Sequence, residues 1–398
     1  MEGMNFLKEL VIKIENEIER VFLIEDGVLT EKYFDSKYKK RLEGNIYIGK
    51  VQNVIPGLQA AFVNVGENKN AFIHLKDVLP KRDITKEDGY DLEEHDIGKV
   101  LKPGMPIIIE IKRDSYNKKG ARASTHINLP GRYLVLLPNS TIVTISQKIE
   151  DNTERQRLVD IVANIVPDGM GAIVRTSAIG KSKDALEEDL GNLVNKWNEI
   201  ISVKFDKNDI PKLISKSNGI VDKLLLDLMD KDLRVIHVSD SEMKKKIKEK
   251  LAFWNKSDID VASDADDAIV RYDIEKQVEI AEGRKVWLKS GGFITVDKTE
   301  ALTAIDVNSA KFIGKKDLED TAFSINKESA VEIAKQVRLR DIGGIIVIDF
   351  IDLHDDKHKK ELVDIFAEEL KKDRTKVQIE GFTKLNLLEL TRKHIYSE

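Results

Sequence analysis

Residues 301–352 read ALTAIDVNSAKFIGKKDLEDTAFSINKESAVEIAKQVRLRDIGGIIVIDFID, and the reading of this stretch decides the fold. Two short apolar runs each end in a carboxylate. The first reaches Asp306, with Asn308 just beyond; the second reaches Asp349, with Asp352 beyond. Between them Ala330, Ile333, Ala334 and Val337 recur at helical spacing, and Gly343-Gly344 breaks the pattern before the second run. Strand, helix, strand is a unit of an α/β sheet, with both strand ends at one edge. Two aspartates held together repel unless a cation or a proton intervenes. The pattern therefore predicts a hard divalent ion, Mg²⁺, on Asp306 and Asp349, with Asn308 holding a water or a phosphate oxygen. Taken singly, each aspartate reads equally well as a cap of a turn or helix; the pair with Asn308 favours the metal. His354 and His358 are spaced i,i+4 but lack the H-E-x-x-H pattern, so no zinc site is read there.

Working outward, a chain of 398 residues is too long for one ordinary core, and roughly two to four domains are expected. The hydrophobic fraction of 41% and charged fraction of 34% fit a globular protein with a heavily charged surface. No apolar run nears the roughly 18 residues of a membrane span, and the N-terminus lacks the pattern of a signal peptide. The absence of cysteine excludes disulfides and Cys-ligated zinc within these residues. A cytoplasmic location is expected. A net charge of −5 excludes a uniformly basic nucleic-acid wrapper but leaves local basic patches open.

Alternating apolar residues predict strands at 10–14, 21–24 and 28–34, with Asp26-Gly27 as a turn. Short strands at 45–52, 59–65, 71–74 and 107–112, punctuated by Pro56-Gly57 and Pro103-Gly104, predict a small barrel over 42–126, with a polar loop over 80–100. Tyr47, Phe62 and Phe72 lie on these strands, and a basic run spans Lys112 to Arg122, including Lys118-Lys119. The aromatics read either as core or as a base-stacking surface beside phosphate-tracking lysines. Mixed α/β follows, with strands at 133–137, 141–145 and 172–176 and helices at 153–165 and from Ser182. Arg175-Thr176 leaves the last strand, either as a phosphate grip or as a surface ion pair. Gly180-Lys181-Ser182 is no P-loop, because Arg175 stands where G-x-x-x-x-G-K-S needs glycine. Residues 206–281 suggest a helix, the strand 234–237 and further helices that complete the N-terminal sheet. From about residue 282 the strands 285–288, 293–296, 303–307, 345–350 and 376–379, with helices 321–340 and 358–372, predict an α/β sandwich or open sheet.

Four motifs now carry a resemblance: TEALTAIDVNS (Thr299–Ser309), RLRDIGGIIVIDFID (Arg338–Asp352), GMGAIVRT (Gly169–Thr176) and GNIYIGKV (Gly44–Val51). With them the chain resembles the ribonuclease E/G family of bacterial endoribonucleases over nearly its whole length. The resemblance implies a mixed, multidomain α/β fold. A split RNase H-like domain (1–41 and 210–281) would hold an inserted OB-fold barrel of the ribosomal-protein S-one type (42–126) and a 5′-phosphate sensor domain (127–209). A DNase I-like catalytic domain (282–398) would follow. It also implies a Mg²⁺-dependent endoribonuclease that cleaves single-stranded, AU-rich RNA to 5′-phosphate and 3′-hydroxyl ends, in rRNA and tRNA processing and mRNA decay. Asp306 and Asp349 would be the metal ligands, with Asn308 supporting them. Arg175, Thr176, Gly131 and Val135 would grip a 5′-monophosphate, and Phe62, Phe72, Lys119 and Lys376 would bind RNA. The alternative is a non-catalytic RNA-binding or ribosome-assembly factor. Departures are Gln147-Lys148 in place of a sensor arginine pair, Lys376 in place of an arginine, and no C-P-x-C zinc-link. Any homodimer is therefore expected to form without one.

Overall fold

The computed structural model describes residues 7–36, 41–78, 96–115, 120–204, 206, 209–229, 232–309 and 318–395. The chain divides into two compact units, Met1–Lys39 with Lys231–Glu398, and Lys40–Asp230.

In the first unit, one five-stranded sheet runs in the order Asp260–Ala262, Leu233–Val238, Lys8–Glu15, Ile18–Glu25, Val28–Ser36. Tight hairpins make the last three antiparallel. Asp26-Gly27, at φ 49° and 78°, forms the expected two-residue turn. Asn16-Glu17 forms a second such turn, at φ 50° and 61°, that no glycine announces. Leu233–Val238 pairs parallel to Lys8–Glu15, so the later segment completes the N-terminal sheet as expected. One face is closed by the helices Ala265–Arg271 and Ile274–Glu282, whose Ala268, Ile274 and Val278 pack on Val11, Phe22 and Ile24.

The same unit holds a six-stranded sheet in the order Lys285–Trp287, Phe293–Lys298, Leu302–Asn308, Gly344–Asp349, Leu388–Arg392, Val377–Phe382. Its parallel pair is Leu302–Asn308 with Gly344–Asp349. The helix Leu318–Leu339 makes the crossover that a parallel pair requires. This helix and Asp356–Leu370 cover one face of the sheet. Ile294, Ile305, Val307, Ile346, Ile348 and Leu390 pack there on Ile333, Val337, Leu362 and Phe366. Among the described residues the opposite face is open, with Ala304, Asp306, Ile345 and Asp349 exposed. The apolar run at 345–350 reads as a buried strand; instead only alternate residues are buried, and Ile345 is 50% exposed. The strand is central in the sheet, but helices cover only one of its faces, and only doubly covered strands bury both.

In the second unit, Ile46–Ile55, Ala60–Asn64, Ala71–His74, Arg122–Ser124 and Pro106–Arg113 close into a five-stranded barrel through pairing of the first with the last. Arg122–Ser124 emerges from the end of the basic run and supplies the barrel's fifth strand, while Lys212–Ser215 adds to the outside of Ile46–Ile55. Small and β-branched residues fill the interior, among them Val51, Ala61, Val63, Ile73, Ile109 and Ala123. Most of the polar loop expected over 80–100 lies outside the described residues; its end forms the short helix Ile97–Val100. A four-stranded sheet, in the order Val143–Ile145, Gly171–Val174, Leu134–Leu137, Leu129–Pro130, packs on helices Asn152–Ile165 and Lys183–Ser202. Asp151 and Ser182 cap those helices through their side-chain oxygens.

Candidate active site

The register of the parallel pair sets Asp306 directly opposite Asp349. Adjacent strands lie about 4.8 Å apart, and side chains opposite one another share a face. Both aspartates project from the open face, since Ile305 and Ile348 beside them are buried. Asn308 follows on the same strand and donates from Nδ2 to Asp306 Oδ2 at 2.5 Å. The Asp349 carboxyl is raised above the usual carboxylate range, first by its partial burial and then by the negative charges of Asp306 and Asp352. Asp352 in turn accepts from Asn386 Nδ2 at 3.0 Å. Among the described residues no three or more His, Cys, Asp or Glu side chains form a metal-holding group. The site thus offers two hard oxygen donors and room for water. That donor set fits Mg²⁺, which usually binds through one or two carboxylates and keeps several waters.

Polar side chains of the crossover helix pin the loops around this face. Asn326, fully buried, donates to Ile351 O at 2.8 Å and accepts from Ile351 N at 3.0 Å, which holds the turn after Asp349. Glu328 accepts from the amides of Lys289 and Ser290, and Glu319 from those of His354 and Asp355. The His358 ring stacks on Phe323, and its Nδ1 lies 3.2 Å from Glu319 Oε1. These helix residues escaped the sequence reading. Their one signal is a set of polar residues spaced along an otherwise apolar helix.

Of the expected phosphate-gripping residues, Arg175 and Gly131 lie together. Arg175 Nη1 donates to Gly131 O at 2.8 Å, and Nη2 pairs with the Asp227 carboxylate. The ion pair weighed for Arg175 is therefore present. The neighbouring amides of Arg132, Tyr133 and Leu134 all donate to the Asp189 carboxylate, at 3.0, 2.8 and 2.9 Å. That carboxylate comes so close that a Cβ on Gly131 would meet Asp189 Oδ2 at 2.7 Å, which explains the glycine. Val135 sits within Leu134–Leu137, opposite Ile173 and Pro130, and Thr176 opens a single 3₁₀ turn. The loop carrying Gln147-Lys148 is held from the next helix, where Arg155 Nη1 donates to Ser146 O at 3.0 Å and Ile149 O at 2.8 Å.

On the barrel, Phe62 and Phe72 face each other across paired strands with ring centroids 5.8 Å apart, both half-buried. Tyr47, at 3% exposure, belongs to the barrel core. Within the basic run, Lys112 pairs with Glu110 and Arg122 with Asp77. Lys118 and Lys119 lie outside the described residues. Lys376, in the other unit, is exposed just before the strand Val377–Phe382.

Comparison with known proteins agrees with the motifs. The family model described as the Ribonuclease E/G family matches residues 128–395. Ribonuclease G of Salmonella typhimurium (strain SL1344) is 35% identical over 389 residues, covering 97% of this chain and 79% of its own length. A putative ribonuclease E of Buchnera aphidicola subsp. Baizongia pistaciae is 38% identical over 390 residues, covering 96% and 94%. Ribonuclease E of Escherichia coli (strain K12) is 35% identical over 396 residues, covering 98% of this chain and 37% of its own. With two thirds of its residues matched by the family model and relatives aligned along nearly all of it, the chain belongs to the ribonuclease E/G family.

Proposed function

We propose that this endoribonuclease cleaves single-stranded, AU-rich RNA with Mg²⁺, leaving 5′-phosphate and 3′-hydroxyl ends, and acts in rRNA and tRNA processing and mRNA decay in the cytoplasm. The observation that carries this reading is the Asp306–Asp349 pair, in register on the open face of a sheet. Asp306 and Asp349 would hold the ion. When bound, Mg²⁺ supplies Lewis acidity and neutralises charge at the scissile phosphate. Asn308 fixes the Asp306 carboxylate through its amide and leaves one carboxylate oxygen free of that bond. Asp352 adds negative charge near Asp349, which favours a cation there.

Upstream, Phe62 and Phe72 present adjacent half-buried rings suited to stacking bases, with Lys119 and Lys376 as phosphate contacts. Arg175, Thr176 and the backbone of Gly131 and Val135 would receive a 5′-monophosphate. The test is cleavage of a 5′-monophosphorylated AU-rich oligonucleotide with Mg²⁺, comparing the wild type with Asp306→Asn and with excess chelator. Loss of cleavage in both is expected. Equal cleavage by wild type and variant sinks the role of Asp306. Binding without turnover in the wild type would favour the non-catalytic alternative.

A further inference from the structure

Two strands away from the carboxylate pair, the open face carries an aromatic cluster that the site as described does not use. Strand register arranges this face in rows. One row runs Lys285, Thr295, Asp306, Asp349; the next runs Trp287, Phe293, Asn308. Val286, Ile294 and Val307, which alternate with these residues, are buried on the other face. The Trp287 and Phe293 rings lie 5.3 Å apart at 62°. The Lys285 ammonium sits 3.8 Å from one ring centroid and 3.4 Å from the other. Phe293 is thus one strand from Asn308, about 5 Å, and Trp287 two strands, about 10 Å. Trp287 is 63% exposed. A tryptophan standing out of a sheet contributes little to a core, and large exposed aromatics mark binding surfaces. Asp297, on the same face, is neutralised by Arg284 at 2.5 and 2.7 Å. The edge therefore presents an aromatic surface with the Lys285 cation on it rather than a repelling carboxylate.

We propose that Trp287 and Phe293, with Lys285, form a stacking platform for a base of the RNA strand next to the scissile phosphate. The proposal rests on the reading of Asp306 and Asp349 as the active site. A base has a π-face whatever its identity, and single-stranded nucleic acid is held by aromatic rings beside cations that meet its phosphates. Direct adjacency in the strand register to Asn308 commits the platform to RNA substrate rather than to another partner. It gives the catalytic unit a base contact of its own, separate from the barrel.

The experiment measures affinity, not turnover. A short single-stranded RNA is titrated into Asp306→Asn protein, and into the same protein carrying Trp287→Ala or Trp287→Phe. Abasic nucleotides are scanned through the RNA. Trp287→Ala should weaken binding about tenfold, and Trp287→Phe should keep most of the affinity. One abasic position should cost about tenfold against Trp287 protein and nothing further against Trp287→Ala. Unchanged affinity in Trp287→Ala overturns the proposal, as does an equal abasic penalty with and without the indole. A change of mass in solution without a change in RNA affinity overturns it too, by assigning the patch to self-association. Failure of the active-site reading shows separately, as equal cleavage by wild type and Asp306→Asn, and leaves the affinity result standing.

Discussion

Glu31 is a deeply buried carboxylate that the fold relies on, and its contribution should depend on pH in a defined way. It lies on Val28–Ser36 with its side chain 1% exposed. Arg374 Nη2 reaches it at 2.6 Å, Arg338 Nη2 at 3.1 Å, and the Tyr33 hydroxyl donates to it at 2.7 Å. Arg338 belongs to the last turn of the crossover helix and also grips Glu25, so the cluster anchors the helix that joins the two aspartate strands. Burial alone would raise the Glu31 carboxyl. Arg374, then Arg338 and the Tyr33 hydroxyl, hold it instead at about 2, against 4.5 for a free group. A carboxyl depressed in the folded state stabilises it above the unfolded value, and that stability drains away as pH falls through the folded one. A difference of about 2.5 units at 1.36 kcal/mol each is on the order of 3 kcal/mol. Glu31→Gln keeps the shape and removes the charge, leaving buried guanidinium groups unpaired, a change that costs about 3–5 kcal/mol in comparable buried pairs. Urea unfolding of wild type and variant, at pH values from 7 down to 3, supplies the measurement. The gap between the two should be about 3 kcal/mol at pH 7 and close as the pH approaches 2. A gap that stays constant across this range refutes the reasoning, because other carboxylates titrate alike in both proteins and cancel.

Two further predictions concern the RNA chemistry. Asp227 pairs with the Arg175 guanidinium and, on the proposed role of Arg175, would compete with a 5′-monophosphate for it, so Asp227→Asn should raise the preference for 5′-monophosphate over 5′-hydroxyl RNA about fivefold, near 1 kcal/mol. Arg175→Ala should abolish that preference. If Asp227→Asn lowers it instead, the carboxylate orients the arginine rather than masking it. Asn326→Ala removes both bonds to Ile351 and should cost about 2–3 kcal/mol in unfolding free energy. It should also slow turnover more than it weakens RNA binding, since the turn after Asp349 is released; an unchanged urea midpoint and rate would refute this.

Much of the fold was legible because its signals are local. The Asp26-Gly27 turn and the Asp151 and Ser182 caps each express themselves within a few residues. So does the alternation in Ala71–His74. What escaped depends on partners far along the chain. Leu388–Arg392 alternates Leu388, Leu390 and Arg392 on its buried face, and the arginine can stand there only because Asp373 and Asp341 neutralise its guanidinium at 2.7 Å each. His237 is buried between Glu9 and Asp264, at 2.8 and 2.7 Å, and neither partner is near it in sequence. Trp287 sits in a strand of three residues, too short for any period to declare which way its side chain faces. The carboxylates of the site were readable because each closes an apolar run. The direction they face was not, because IIVID reads as buried throughout.

That direction matters to the chemistry. Two aspartates one strand apart repel, and in a sheet covered on both faces their repulsion would add to the cost of desolvating each charge. A sheet packed on one side avoids the second cost. Its covered face, with Ile305, Ile346 and Ile348, supplies the hydrophobic stabilisation, while Asp306 and Asp349 remain in contact with water. The rigid register of the parallel pair then does what a loop does less well: it holds two oxygens at a set spacing without enclosing them. An ion held there, as proposed, would keep water ligands, and a polymeric substrate could lie across the face without threading a pocket. The same openness leaves room beside the carboxylates for the Trp287–Phe293 pair, which a covered sheet would have turned into core.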